Sequence, residues 1–233
     1  MLKLVDIDRS RNLVPQVTER LEDAILLGLL APGEEVPQLK LAQQFGLSQT
    51  AIREALQELE RRGLVTQRGR TKTVTDFSEE DLAHLFEVRL SLEPLACRLA
   101  ATHFTEALGR ELEEQLRLMQ KSADEQNARE HVRHDLQFHR TIWAGQPNRY
   151  LEQHLNQVCA SLFAYELVRR TQANYLDFGW NMRQTTMIFR VLRTRDGDLA
   201  ERVIRRTITR FYRRDTSDYR RIGGVPSGGE RGV

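Results

Sequence analysis

"FGLSQTAIREALQELERRGLV" (Phe45–Val65) puts two stripes on one short helix. Ile52, Leu56 and Leu59 recur at helical spacing and predict a buried side. Gln49, Thr50, Arg53 and Gln57 fall on another side, at the helix start and through its first two turns. Ser48 suits the cap of this helix, and Gly46 suits a left-handed turn just before it. Gly63 stops it. A polar face that only meets water needs no such selection of side-chain types, whereas one that reads a partner does.

Working outward, Val14 to Leu30 reads as an amphipathic helix with Pro15 at a tolerated starting position, closed by the turn signal "APGEEVP". Pro37 opens a short helix, "PQLKLAQQF", with Leu41, Ala42 and Phe45 as its apolar residues. Beyond Gly63, "LVTQ" and "TKTVTDF" flank "RGR", the pattern of a small hairpin. Three helices and a two-stranded ribbon make a winged helix-turn-helix over residues 1–76. After Asp76 no strand pattern returns. Ser78 and Asp81 stand at capping-box spacing before a long helix that runs on despite Pro94. Five further helices are expected at about 106–127, 129–145, 148–171, 176–195 and 198–214. The fold class is therefore mainly α: an N-terminal winged helix-turn-helix and, over 77–215, an all-α bundle. The Gly-rich end, 216–233, reads as a disordered tail.

Hydrophobic residues at 40% and charged residues at 29% describe an ordinary globular chain. No apolar run reaches the roughly 18–20 residues that span a bilayer, and the N-terminus lacks a signal peptide's apolar centre. The expected place is the cytoplasm, without membrane contact. Cys97 and Cys159 sit far apart in helical stretches and read as buried thiols. The net charge of +2 says little, but its distribution says more. Residues 48–75 carry six basic side chains (Arg53, Arg61, Arg62, Arg68, Arg70 and Lys72) against Glu54, Glu58 and Glu60. Residues 202–221 carry eight arginines against two aspartates, best read as a solvated face around Val203, Ile204, Ile208 and Phe211.

A winged helix-turn-helix lays its second helix in the DNA major groove. Arg53 has the fork for guanine O6 and N7, and Gln49 the amide for adenine N6 and N7. Ser48, Thr50 and Gln57 complete the helix face, while Arg68, Gly69 and Arg70 form the ribbon tip that reaches an adjacent groove or phosphates. A symmetric dimer would meet a pseudo-palindromic operator in double-stranded DNA. The plain alternative is a solvated surface helix; the three-residue turn and the basic hairpin argue against it.

"AILLGLLAPGEEV…LAQQFGLSQTAIREALQELERRGLV" resembles the DNA-binding domain of the GntR superfamily of bacterial regulators. "LFEVRLSLEPLACRLAA" and "HDLQFHRTIW" resemble the helical effector domain, called FCD, of its FadR-type branch. The resemblance runs from about Leu13 to Arg214. It implies a homodimer whose DNA affinity changes when a small molecule enters the bundle. One departure falls on the reading helix: the family has Arg directly after the capping Ser, where this chain has Gln49.

Asp135 and His139 lie four apart on one helix face, able to grip one ion or ligand. The resemblance implies a metal site completed by two histidines, 22 residues apart, on the last two helices; those positions hold Thr185 and Thr207. Two readings stand: Asp135 and His139 hydrogen-bond each other, or they contact an effector, with a weakly held divalent metal completed by water or the ligand. His131, a turn upstream, is expected to be solvated. Arg89 matches an arginine that the branch commonly carries, and its partner is either Glu93, four residues on, or an effector carboxylate. Arg89, Asp135, His139, Thr185 and Thr207 thus form the candidate effector set. A metal-dependent enzyme lacks ligands, and the chain has no Gly-rich phosphate loop, nucleophile elbow or HExxH. A regulator that binds DNA constitutively, with a bundle that only dimerises, remains a second alternative.

Overall fold

The computed structural model describes residues 13–26, 29–172 and 176–222. The N-terminal unit comprises α1 (Leu13–Leu26), α2 (Gln38–Phe45), α3 (Gln49–Arg61), β1 (Val65–Arg68) and β2 (Thr71–Val74). The bundle comprises α4 (Glu79–Thr102), α5 (Glu106–Asp124), α6 (Ala128–Ala144), α7 (Arg149–Gln172), α8 (Phe178–Arg193) and α9 (Gly197–Ile222). The expected order of elements is present throughout. The first helix was expected to reach Leu30; α1 is described to Leu26, and 27–28 lie outside the described residues. Residues 216–222, read as the start of a tail, continue α9 as helix, and 223–233 lie outside the described residues.

Local chemistry sets the turn that presents α3. Gly46 sits at φ 63, a left-handed conformation that costs glycine nothing, and closes α2. Ser48 then caps α3, its side chain accepting from the Ala51 amide at 3.2 Å. Ile52, Leu56 and Leu59 are fully buried against Val17, Leu21 and Ile25 of α1, each worth about 1.5–3 kcal/mol of burial. Ser48→Ala is expected to cost about 1 kcal/mol, read as a lower urea midpoint for the N-terminal unit.

The hairpin pairs Val65 with Val74 and Arg68 with Thr71, leaving Gly69 and Arg70 as its loop. Gly69, at φ 60, holds the first loop position, which a two-residue hairpin of the II′ kind reserves for glycine. The ribbon has a third edge that the sequence did not announce. Glu35 bridges Thr73, the Val36 amide donates to the Lys72 carbonyl at 2.7 Å, and the Val74 amide donates to the Glu34 carbonyl at 2.9 Å. The "GEEVP" stretch is thus stitched to β2, which ties the wing to the chain between α1 and α2.

In the bundle, Phe138, Ile142 and Trp143 of α6 form a fully buried centre with Leu112, Leu155 and Leu192. Both cysteines are buried and unbridged. Ser78 and Asp81 form the expected capping box at the start of α4. Pro94 stands inside α4 and cannot donate to the carbonyl four residues back, that of Leu90. Arg205 of α9 supplies the missing donor, at 3.0 Å from the Leu90 oxygen. Arg202, Arg206 and Arg210 are exposed, as the solvated-face reading expected; the side chain of Arg214 lies outside the described residues.

Candidate nucleic-acid interface and bundle cavity

Ser48, Gln49, Thr50, Arg53 and Gln57 are all exposed on α3, opposite its buried stripe, and Arg68, Gly69 and Arg70 are exposed at the wing. The basic cluster of residues 48–75 divides in two. Lys72 is buried and pairs with Glu60, Arg61 pairs with Glu58 at 2.7 Å, and Arg62 pairs with Glu22 at 2.7 Å. Arg53, Arg68 and Arg70 make no ion pair among the described residues. Structural carboxylates neutralise the first group and leave the second available to a polyanion.

The candidate effector residues come together. Arg89, Asp135, His139, Thr185 and Thr207 line one cavity of about 50 Å³, closed by Phe163, Trp180 and Gln184. Glu93, fully buried beneath it, is a hub. It accepts from Arg89 Nε at 2.6 Å, from His139 Nδ1 at 2.6 Å and from Trp143 Nε1 at 3.2 Å. Burial alone would raise the Glu93 carboxyl, but the Arg89 and His139 charges and their hydrogen bonds hold it down at about 2. Arg89 therefore has the internal partner weighed at the outset, and its guanidinium also lies 4.8 Å from the centre of the Phe163 ring.

Asp135 and His139 do not hydrogen-bond each other: His139 Nε2 lies 3.9 Å from Asp135 Oδ1. Asp135 instead accepts from Thr185 at 3.2 Å and from Asn181 Nδ2 at 3.1 Å. His131, expected to be solvated, is fully buried; its nitrogens meet the Met119 carbonyl at 3.0 Å and Asn181 Oδ1 at 2.8 Å. It buttresses Asp135 through Asn181. Two cavity groups remain without partners: Thr207 Oγ1 and Gln184 Oε1 are buried with no hydrogen bond. The donors present do not fit a metal. Threonine replaces two of the four implied ligands, Asp135 is spent on amide and hydroxyl, and among the described residues no three His, Cys, Asp or Glu are arranged to hold a metal ion.

Against known proteins, the model of the FCD domain matches residues 84–210, more than half of the chain, and that of the bacterial regulatory proteins of the gntR family matches 13–74. The chain belongs to the gntR family of bacterial regulatory proteins. Relatives within it include the HTH-type transcriptional regulator YdhC of Bacillus subtilis, 29% identical over 65% of this chain and 69% of that one. The repressor NanR of Edwardsiella tarda is 29% identical over 83% of this chain and 82% of its own length. The gluconate operon transcriptional repressor of Bacillus subtilis is 24% identical over 78% and 76%. Among solved structures, Escherichia coli McbR/YncC superposes with a TM-score of 0.68 at 20% identity, over 90% of this chain and 99% of that chain, which speaks for the fold.

These matches decide regulator against enzyme: gntR-family proteins of this architecture are DNA-binding transcription regulators, and so are the relatives. Among the described residues no helix is long and apolar enough to cross a membrane. Sequence reading missed Glu93 as the hub and Asn181 as the bridge. Glu93 was visible only as a neighbour of Arg89. Its contact with His139 spans 46 positions, and no local pattern encodes it.

Proposed function

We propose that this gntR-family regulator is a cytoplasmic homodimer that reads a pseudo-palindromic operator and changes its DNA affinity when a small molecule occupies the bundle cavity. Residues 1–76 read DNA; residues 77–215 dimerise and sense. The observation that carries the DNA half is the trio Arg53, Arg68 and Arg70, exposed on α3 and the wing and without an ion pair among the described residues. Arg53 and Gln49 contact base edges, Ser48 and Thr50 lie at the helix start near phosphate, and Gln57 extends the face. Val88 and Leu95, both exposed and two turns apart on α4, offer an apolar strip to a second copy.

For sensing, the support is Thr207 Oγ1 and Gln184 Oε1, two buried polar atoms that an occupant would satisfy. Arg89 and Asp135 flank them, so the occupant is a polar molecule, and the volume restricts it to a few non-hydrogen atoms unless the walls move. A carboxylate would have to share Arg89 with Glu93. Selection of bound fragments from a randomised DNA pool tests the reading. A two-fold symmetric motif supports it, and no enrichment with or without a metabolite panel removes it. Trp180 lines the cavity and Trp143 touches Glu93, so tryptophan fluorescence reports occupancy. A response flat across the panel would favour the constitutive alternative.

Transmission has a physical candidate in two cavity-lining residues. Val132 and Leu176 also pack into the apolar core of the N-terminal unit. An occupant that displaces them moves the reading head. Val132→Ala is expected to leave effector binding by fluorescence within about threefold while shrinking the effector-induced change in operator affinity severalfold. An unchanged response would assign transmission elsewhere.

A further inference from the structure

A second cavity, of about 640 Å³, lies between the N-terminal unit and the bundle. That volume falls in the range of small-ligand sites, which favour the clefts between domains. Its walls carry four arginines, Arg61, Arg62, Arg133 and Arg140, and three carboxylates, Glu22, Glu58 and Glu130. Each carboxylate is already engaged. Glu22 holds Arg62 at 2.7 Å, Glu58 holds Arg61 at 2.7 Å and Arg62 at 3.0 Å, and Glu130 lies 3.5 Å from Arg133. His134, also in the wall, is held by burial below its ordinary value and adds no charge at neutral pH. One positive charge is left over.

That charge is Arg140. It projects from α6 into the cleft, makes no ion pair or hydrogen bond among the described residues, and its Nε is buried without a partner. Burial and then nearby Arg62 work against its charge, and Glu22 and Glu58, both committed to other arginines, offset them only in part. A half-buried guanidinium whose nearby carboxylates are committed to other arginines is left short of a counter-ion, a deficit that a bound anion would make good. Its planar fork matches a carboxylate or phosphate with two parallel hydrogen bonds.

We propose that this cleft binds a small oxyanion, the carboxylate or phosphate group of a metabolite, on Arg140 of the bundle with Arg62 of the N-terminal unit. The site is distinct from the bundle cavity, although Val132 and Phe163 line both. An anion held by both arginines ties the reading head to the bundle.

The test is calorimetric titration of the full chain with inorganic phosphate and, separately, malonate, each against chloride at matched ionic strength. Saturable binding of either is expected; phosphate alone would point to a phosphorylated ligand and malonate alone to a carboxylate. Arg140→Gln should weaken it at least tenfold, and Arg110→Gln, an exposed control on α5, should leave it unchanged. Glu22→Gln removes a carboxylate from the wall and leaves Arg62 held by Glu58 alone, so it should tighten binding severalfold, which loss of a structural contact would not do. Chloride matching both probes, or Arg140→Gln binding as wild type does, would overturn the proposal. If Arg140→Gln fails to fold by circular dichroism, Glu22→Gln decides: no tightening overturns it as well. The titration involves no DNA, and the Arg140→Gln arm separates this cleft from the bundle cavity, so the result stands apart from the regulatory reading.

Discussion

Glu93→Ala is expected to lower the folding stability of the bundle by about 3–5 kcal/mol, because it leaves the Arg89 guanidinium buried and uncompensated. The same change removes the acceptor of His139 Nδ1 and of Trp143 Nε1. Urea unfolding followed through Trp143 measures it. The double variant Glu93→Leu/Arg89→Met should recover the part of the loss due to the buried guanidinium, while the orphaned His139 and Trp143 donors keep the remainder. A single variant that unfolds like wild type would show that the hub holds nothing. The carboxyl also sets a pH dependence. Its folded value, about 2, lies below its ordinary 4.5, so its contribution is fully present above the ordinary value and is lost as pH falls through 2. Acid unfolding of the bundle should therefore steepen between about pH 4.5 and 2 in wild type and lose that component in the double variant.

Arg53→Ala is expected to cost about 1–3 kcal/mol in operator binding, roughly 5- to 150-fold, if its fork pairs with a guanine. The residue is exposed in the second turn of α3 and makes no ion pair among the described residues, so the change should leave stability alone. Competition titrations with the selected operator and with random DNA separate the two roles. Loss confined to the operator, with relaxed preference at one base pair, is the outcome expected of a base contact. An equal loss on both DNAs, with a shallower salt dependence, would move Arg53 to the phosphate backbone.

What the sequence disclosed and what it withheld divide along the range of the interactions. The cap at Ser48, the left-handed Gly46 and the stripe of Ile52, Leu56 and Leu59 are settled within a few residues, so α3 could be placed from its own letters. Arg89 and Glu93, one turn apart, were legible as a pair for the same reason. Thr185 and Thr207 could be brought near Asp135 only through the family resemblance, and the cavity does contain them. The burial of His131 was not legible. Its partners, Met119 and Asn181, lie 12 and 50 positions away, and which face of α6 they meet depends on how three helices rotate against one another. The third edge of the wing was hidden because Pro32, Gly33 and Pro37 signal a turn, while the pairing of Glu34 to Val36 needs β2 to be in place first.

The proline inside α4 has a mechanical consequence. A continuous helix resists bending with its own ladder of hydrogen bonds; at Leu90 that ladder lacks a rung, and a side chain from another helix completes it. The stiffness of α4 at this level is therefore lent by α9, whose Ile204, Thr207 and Ile208 face the cavity. A displacement of α9 that draws Arg205 away would leave the carbonyl to water and let α4 flex one turn from Glu93. The two helices share one compliance, and neither can be loosened without softening the other.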